Sequence, residues 1–333
     1  AAQRFGFEGY YTDWRFLVDD PRIDLFDNCA SAESHAEPTI AAAEAGKHVF
    51  CEKPLALSAL DALRMWRAAE TAGVLHMVGF NYRFVPAVRY LRDLIVAGRL
   101  GTIYSLRACY LQEGGDDPTR PFTWRHDRAS GGYNALGDLG VHIIDLARFM
   151  LGEIASVAAM TAVHVTERPL PDEPNTLRQV TTDDQFVATV RFASGALGTL
   201  EASKVATGRK NHNRFEINGS RGSAVFNLER LNELELYLRE PDDALTEGWR
   251  TVLVTEHEHP LYANWWPHGH IIGWEHTFVH EVHHLLHAIA TKTTVGPEAA
   301  TFADGYQALA VAEAILKAAD TGSLQSVPAP SLG

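Results

Sequence analysis

The residues of this sequence with chemistry in reach fall in three places. The first is Lys53, inside the stretch His48 to Leu57, HVFCEKPLAL. Val49, Phe50 and Cys51 read as a short buried strand, which puts Lys53 at the carboxyl end of that strand, where ligands sit in open α/β sheets. Pro54 fixes its own φ and biases Lys53 toward an extended conformation. A lysine held that way is a candidate for chemistry, whereas an arbitrary lysine at a strand exit is a surface group. The second place is Asp138 to Leu151, DLGVHIIDLARFML, an almost wholly apolar helix carrying Asp138, His142 and Asp145 at i, i+4 and i+7. At about 100° per residue these three share a stripe roughly 60° wide. A polar stripe on a buried helix must meet partners or a water-filled cleft. Histidine exchanges protons near neutral pH, and a carboxylate one turn away can orient it and stabilise its charged form. The spacing alone leaves two readings open, a proton-transfer pair and a structural Asp–His pair. The third place is His280-Glu281-Val282-His283-His284, which matches the HExxH pattern of zinc hydrolases. That chemistry needs a third protein ligand. The extended pattern fails, because His287 and Ala290 stand where Gly and His are wanted. Trp274, Phe278, Val282, Leu285 and Ile289 form an apolar stripe, leaving His276, His280, His283, His284 and His287 as a solvated or interface face.

The elements that position these residues follow from periodicity and punctuation. Ala1 to Phe7 reads as the tail of a helix, and Asp13 to Asp20 as a short helix ended by Pro21. Ile23 to Ala30 is strand-like, followed by helix 35–46 with Gly46 as its stop, strand 48–52, helix 58–73 opened by Ser58, and strand 75–81. Alternation at this spacing implies βαβ units and a parallel sheet. From Tyr82 the pattern changes. A helix from Pro86 to Gly98 leads to an alternating strand, Ile103 to Gln112, and a loop rich in Gly, Asp and Pro runs to Gly132. After the Asp138 helix, strands are expected at 154–166, 185–193, 196–206, 213–218, 223–228, 233–239 and 250–256, with hairpin turns at Ser194-Gly195 and Ser220-Arg221-Gly222. Helices at 274–290 and 300–319 end the chain. The fold class is therefore α/β: a partial parallel-sheet domain over 1–82, then an α+β domain over 83–333 with a large, mostly antiparallel sheet.

The 333 residues suffice for two domains, and 46% hydrophobic with 21% charged residues is an ordinary globular balance. A net charge of -13 argues against nucleic acid and anionic membrane surfaces as partners. The three cysteines, Cys29, Cys51 and Cys109, show no CxxC spacing; Cys29 and Cys51 sit in strand-like apolar runs and read as buried free thiols, a usage that suits a reducing, cytoplasmic compartment. No run is long and apolar enough to span a membrane, and the first residues are not a signal peptide.

EKPLAL after a βαβ unit, GFNYRF at Gly79 to Phe84, TWR at Thr123 to Arg125 and GDLGVHIIDLARFMLG at Gly137 to Gly152 together resemble the Gfo/Idh/MocA family of NAD(P)-dependent sugar and polyol oxidoreductases. The resemblance runs to about Lys317. It implies a Rossmann-like dinucleotide-binding domain over 1–82 and a catalytic group of Lys53, Asp138 and His142. His142 would take the hydroxyl proton, Asp138 would orient the imidazole, and Lys53 would stabilise charge on the reacting oxygen. It further implies that Ala30, Ser31, Glu52, Lys53, Asn81, Trp124 and Arg125 face the cofactor, NAD or NADP. Trp265 to Phe278, WWPHGHIIGWEHTF, resembles a substrate-side segment, since aromatic faces and polar rims suit sugars. His268, His270, Trp274 and His276 are its candidates, together with Tyr82 and Asp145; the alternative is an aromatic loop packed on the sheet. The expected substrate is a sugar, anhydro-sugar or inositol-like polyol, and the expected assembly a homo-oligomer, dimer or tetramer. One departure stands out: the sequence contains no GxGxxG, the turn that lets backbone approach a pyrophosphate. The expectation is a truncated first βαβ unit and weak dinucleotide binding by these residues alone. Retention of Lys53, Asp138 and His142 argues against a non-catalytic regulator on the same fold.

Overall fold

The computed structural model describes residues 2–131, 134–239 and 245–332. Ala1, Gly132 and Gly333, which bound expected segments, lie outside them. Two short helices, α1 (Ala2–Phe5) and α2 (Trp14–Asp19), lead into β1 (Leu25–Asn28), α3 (Ala36–Glu44), β2 (His48–Cys51), α4 (Ala59–Ala72) and β3 (His76–Val78). β1, β2 and β3 form a three-stranded parallel sheet in that order. The boundaries follow local chemistry. Ser58 caps α4 by accepting from the Asp61 amide, and Gly73 ends it at φ 67, a conformation that favours glycine.

The second unit contains α5 (Pro86–Val96), β4 (Ile103–Leu111), α6 (Arg128–Gly131), α7 (Val141–Leu151), β5 (Ile154–Ala162), the short pair β6 (Glu167–Pro169) and β7 (Leu177–Gln179), β8 (Gln185–Phe192), β9 (Leu197–Ser203), β10 (His212–Gly219), β11 (Gly222–Asn227), β12 (Glu233–Leu238), β13 (Arg250–Leu253), α8 (His276–Thr291), α9 (Phe302–Thr321) and β14 (Gln325–Ser326). Nine strands join in the order β13-β12-β11-β10-β4-β9-β8-β5-β14, all antiparallel except the parallel pair β4–β9. Alternation sets the inner face: Phe186, Ala188, Val190 and Phe192 of β8 are buried while the residues between them are not. α7 and α9 cover that face, and α9 also packs on α4, so one apolar core joins the two units. The opposite face of the sheet is open. Among the described residues no helix is long and apolar enough to cross a membrane.

Three expectations need correction. Cys29, expected to be a buried thiol, is exposed because β1 ends at Asn28, whereas Cys51 is buried in β2. The helix expected from Asp138 begins as a π-helical turn, Leu136–Gly140, in which the Val141 amide donates to the Leu136 carbonyl five residues back. Gly140 makes this turn fit against the sheet, since a Cβ there would lie 2.7 Å from Phe186 Cε1 and 2.9 Å from Leu136 Cδ1. The apolar stripe expected on α8 is also misplaced. Val282 is 44% exposed, and the buried positions are Thr277, His280, Glu281, Leu285 and Ala288. α8 docks over the turn Asn81–Phe84, where polar groups need partners, so polar residues face inward. Asn81 donates its amide to Thr277 Oγ1 at 2.8 Å, and His280 Nδ1 lies 3.1 Å from the Phe84 carbonyl.

Candidate active site

The carboxyl ends of β1 and β2 open on a cleft of about 100 Å³ lined by Ala30, Ser31, Ala32, Lys53, Pro54, Trp124, Arg125, Gly137 and Asp138. Five of the expected cofactor-side residues and two of the expected catalytic ones thus meet in one place. His35 braces the two strand exits: its Nε2 lies 2.9 Å from the Ala30 carbonyl and its Nδ1 3.0 Å from that of Pro54. Glu52 turns back to accept the Lys53 amide at 3.0 Å, and burial pushes its carboxyl above the usual range. Trp124 carries the Arg125 guanidinium over its ring at 4.4 Å. A larger depression, about 520 Å³, lies on the open outer face among Arg107, Thr189, Arg191 and Leu197, remote from these groups.

Asp138 is the centre of the charge arrangement. Lys53 Nζ reaches its Oδ1 at 2.6 Å and its backbone carbonyl at 3.2 Å. Lys204 Nζ reaches its Oδ2, also at 2.6 Å. Burial disfavours the carboxylate, but the two ammonium groups outweigh it and hold the carboxyl well below its ordinary range. The π turn that carries Asp138 is itself capped from the sheet, because Asp183 accepts the Asn134 and Leu136 amides at 3.1 and 2.7 Å. Burial, partly offset by these amides, lifts Asp183 to about 6.

His142 lies one turn further on, buried in an aromatic box. Ring centroids of Tyr82, Phe80 and Tyr110 stand 4.8, 5.7 and 6.0 Å away. Its Nδ1 has no hydrogen-bond partner. Burial, reinforced by the charge of Lys53 and only partly opposed by Asp138, holds its pKa well below the ordinary imidazole value, so the ring is neutral. The Tyr82 hydroxyl lies 2.7 Å from that of Tyr110, which donates to Asn211 Oδ1, and Trp274 Nε1 approaches Tyr82 at 3.4 Å. The arrangement offers a neutral proton acceptor, a net positive charge from two lysines against one carboxylate, and a strand-end cleft.

The structure separates several residues that the sequence grouped. Asp145, expected on the substrate side, is 1% exposed, and Arg83 takes both its oxygens at 2.9 and 2.6 Å. Asp138 and His142 share no hydrogen bond; both carboxylate oxygens face lysines. Of the aromatic segment only Trp274 contacts the box. His268 is exposed beside Glu256 at 3.5 Å, His270 bonds the Pro267 carbonyl at 2.9 Å, and His276 accepts the Gly273 amide and packs on Trp265. In the HExxH segment, Trp265 Nε1 donates to His280 Nε2, which leaves Nδ1 as the donor to Phe84, and His284 Nε2 bonds the Val295 carbonyl at 2.7 Å. No His280 lone pair faces a metal. Sequence reasoning missed Lys204 and Tyr110, although Tyr110 occupies an inward position of β4 and Lys204 follows directly on β9, two residues past the buried Ala202.

A lysine at a strand end of the parallel unit thus faces a carboxylate and a buried histidine carried on a second, mixed-sheet unit. The chain belongs to the Gfo/Idh/MocA family: residues 1–80 match its NAD-binding Rossmann-fold oxidoreductase domain and residues 88–225 its C-terminal domain. It is 42% identical to levoglucosan dehydrogenase of Pseudarthrobacter phenanthrenivorans over 98% of this chain and 86% of that protein. A solved structure of levoglucosan dehydrogenase with NADH and levoglucosan superposes with a TM-score of 0.93, at 42% identity and the same coverage of the two chains. Myo-inositol 2-dehydrogenase of Thermotoga maritima is 34% identical over 66% of this chain and 61% of its own.

Proposed function

We propose that the protein transfers a hydride between NAD and a secondary hydroxyl of a sugar, with a rigid anhydro-pyranose such as levoglucosan as the preferred class and an inositol-like polyol as the second. The observation that carries this reading is the pairing of a neutral, unpartnered histidine with a net-positive Lys53–Asp138–Lys204 cluster beside a strand-end cleft. The likeness to levoglucosan dehydrogenase supports the substrate class.

Bound NAD would supply the hydride acceptor. Ala30, Ser31, Trp124 and Arg125 fit its nicotinamide end, since they give the cleft an aromatic wall, a hydroxyl and exposed backbone. Glu52 holds the Lys53 loop, and Asn81 holds the β3 exit on α8. His142 accepts the hydroxyl proton as the carbonyl forms, which requires the neutral ring that its surroundings enforce. Lys53 donates to the reacting oxygen and disfavours its protonated form through charge. Asp138 fixes the lysine rather than the imidazole. Tyr82 and Trp274 present a hydroxyl and an indole to the sugar rim. Residues 1–82 serve chiefly the cofactor and 83–333 chiefly the substrate, with Trp124 and Arg125 reaching the cofactor from the second unit and Tyr82 reaching the substrate from the first. The open sheet face, which exposes Met160 (78%) and Leu324 (68%), pairs copies of this chain into a cytoplasmic homo-oligomer.

Purified protein is incubated with NAD and levoglucosan, myo-inositol or simple hexoses, and NADH formation is followed by absorbance. The reading expects the highest kcat/KM with the anhydro-sugar. Equal rates across the panel, or zero rates in protein that binds NADH by fluorescence titration, would refute it.

A further inference from the structure

Lys204 is not one of the residues that motif and spacing single out, yet it holds half of the central carboxylate. Its place follows from strand alternation. Leu200 and Ala202 point to the inner face of β9, and Ala202 is the register partner of Tyr110 on the parallel neighbour β4. Lys204, two residues on, therefore leaves the sheet on the side of the aromatic box. Its backbone is pinned on both sides: its amide donates to the Asp184 carbonyl at 2.9 Å and its carbonyl accepts the Gly115 amide at 2.7 Å. The ammonium is largely buried and 2.6 Å from Asp138 Oδ2. Lys53 holds the other oxygen from the parallel-sheet unit, so the carboxylate is clamped between the two halves of the molecule.

We propose that Lys204 is a positioning residue that acts through Asp138, keeping the carboxylate on the sheet side and away from the imidazole one turn along. The proposal rests on the assignment of His142 as proton acceptor. The groups facing His142 are Lys53 from the end of β2, Asp138 from the π turn, Tyr82 from the Asn81–Phe84 turn and Tyr110 from β4; Lys204 reaches it only by way of Asp138. An Asp138 freed on one side can swing toward the ring and stabilise the imidazolium. The ring would then be protonated over more of the working range and unable to accept a second proton. Lys204 thus separates two neighbours that the i, i+4 spacing would otherwise pair.

The test is the titration of His142, read by NMR in histidine-labelled protein and assigned with His142→Gln. Lys204→Met should raise the midpoint by on the order of one pH unit, the scale of an unscreened carboxylate neighbour. Lys204→Arg, which keeps the charge and the reach, should return it toward the parent value. In an Asp138→Asn background, Lys204→Met should leave the midpoint unmoved, because the residue through which it acts is neutral. Thermal unfolding of each variant identifies any that fail to fold, and Lys204→Gln then replaces Lys204→Met. A midpoint that stays put in Lys204→Met, or that shifts equally with and without the Asp138 carboxylate, overturns the proposal. The NMR readout does not depend on turnover, so a failure here is distinct from a failure of His142 as the base. The second would appear as a catalytic pH limb that does not follow the measured midpoint.

Discussion

Replacing Asp145 by alanine separates a structural carboxylate from a substrate-binding one. Arg83, carried on the Asn81–Phe84 turn and buried against α7, gives Asp145 two hydrogen bonds at 2.9 and 2.6 Å and keeps a longer contact to Asp304 at 3.1 Å. Removing one partner of a buried ion pair costs about 3–5 kcal/mol, because the other charge is left without compensation. The surviving Asp304 contact places Asp145→Ala near the lower end, about 3 kcal/mol. Against a domain stability of roughly 5–15 kcal/mol that is a large fraction. At about 2–4 °C per kcal/mol for a chain of some hundreds of residues, the thermal midpoint should fall by roughly 6–12 °C. The assay is a thermal melt, with steady-state kinetics measured well below the transition. KM for the sugar should stay within about twofold, since Asp145 faces Arg83 and not the cleft. An unchanged melt with a strongly raised KM would refute the structural assignment and return Asp145 to the substrate side.

Three further outcomes follow from the same geometry. Burial and Lys53 already hold His142 below its ordinary pKa, and Asp138 opposes them, so Asp138→Asn should move the acidic limb of kcat/KM to still lower pH while slowing turnover; a limb that moves up contradicts the charge assignment. Gly140→Ala should destabilise the protein by about 1–3 kcal/mol through contact with Phe186 and should weaken turnover by displacing the π turn; a neutral effect on urea unfolding would show that the turn is loosely packed. Protein purified without a tag should contain no stoichiometric zinc at the HExxH segment, since His280 uses Nδ1 toward Phe84 and Nε2 toward Trp265; elemental analysis finding one zinc per chain whose removal abolishes activity would overturn that reading.

Much of this architecture is written locally. The alternation in β8 and β9 marks their buried faces, and Ser58 and Gly73 bracket α4 within a residue of the expected ends. A strand end and a polar stripe are sequence patterns that single out Lys53 and Asp138 separately, and the family resemblance is what put them together. What stayed hidden depends on tertiary contacts. The π turn has the same apolar pattern as an α-helix and exists because Gly140 docks on Phe186 and Asp183 caps the turn. That turn alters the helical register between Asp138 and the residues beyond it, which an α-helical pattern does not reveal. The inward Thr277 and His280 of α8 run against hydrophobic periodicity because they pair with Asn81 and the Phe84 carbonyl of the turn beneath. Lys204 was legible in principle: a lysine at an inward position, two residues past a buried alanine, is a signal that strand parity alone provides.

The central claim, that His142 accepts the substrate proton, is tested most directly by steady-state oxidation of the preferred sugar by His142→Ala across pH. The ring sits against Tyr82 and Tyr110 with an unpartnered Nδ1, and no other described histidine lies in that box. The account predicts a fall in kcat of roughly a hundredfold or more, the usual range for a lost general base, together with loss of the acidic limb. NADH affinity, measured by fluorescence titration, should change little. Near-normal kcat with the parent pH profile would contradict the account and move the proton to Lys53 or to water.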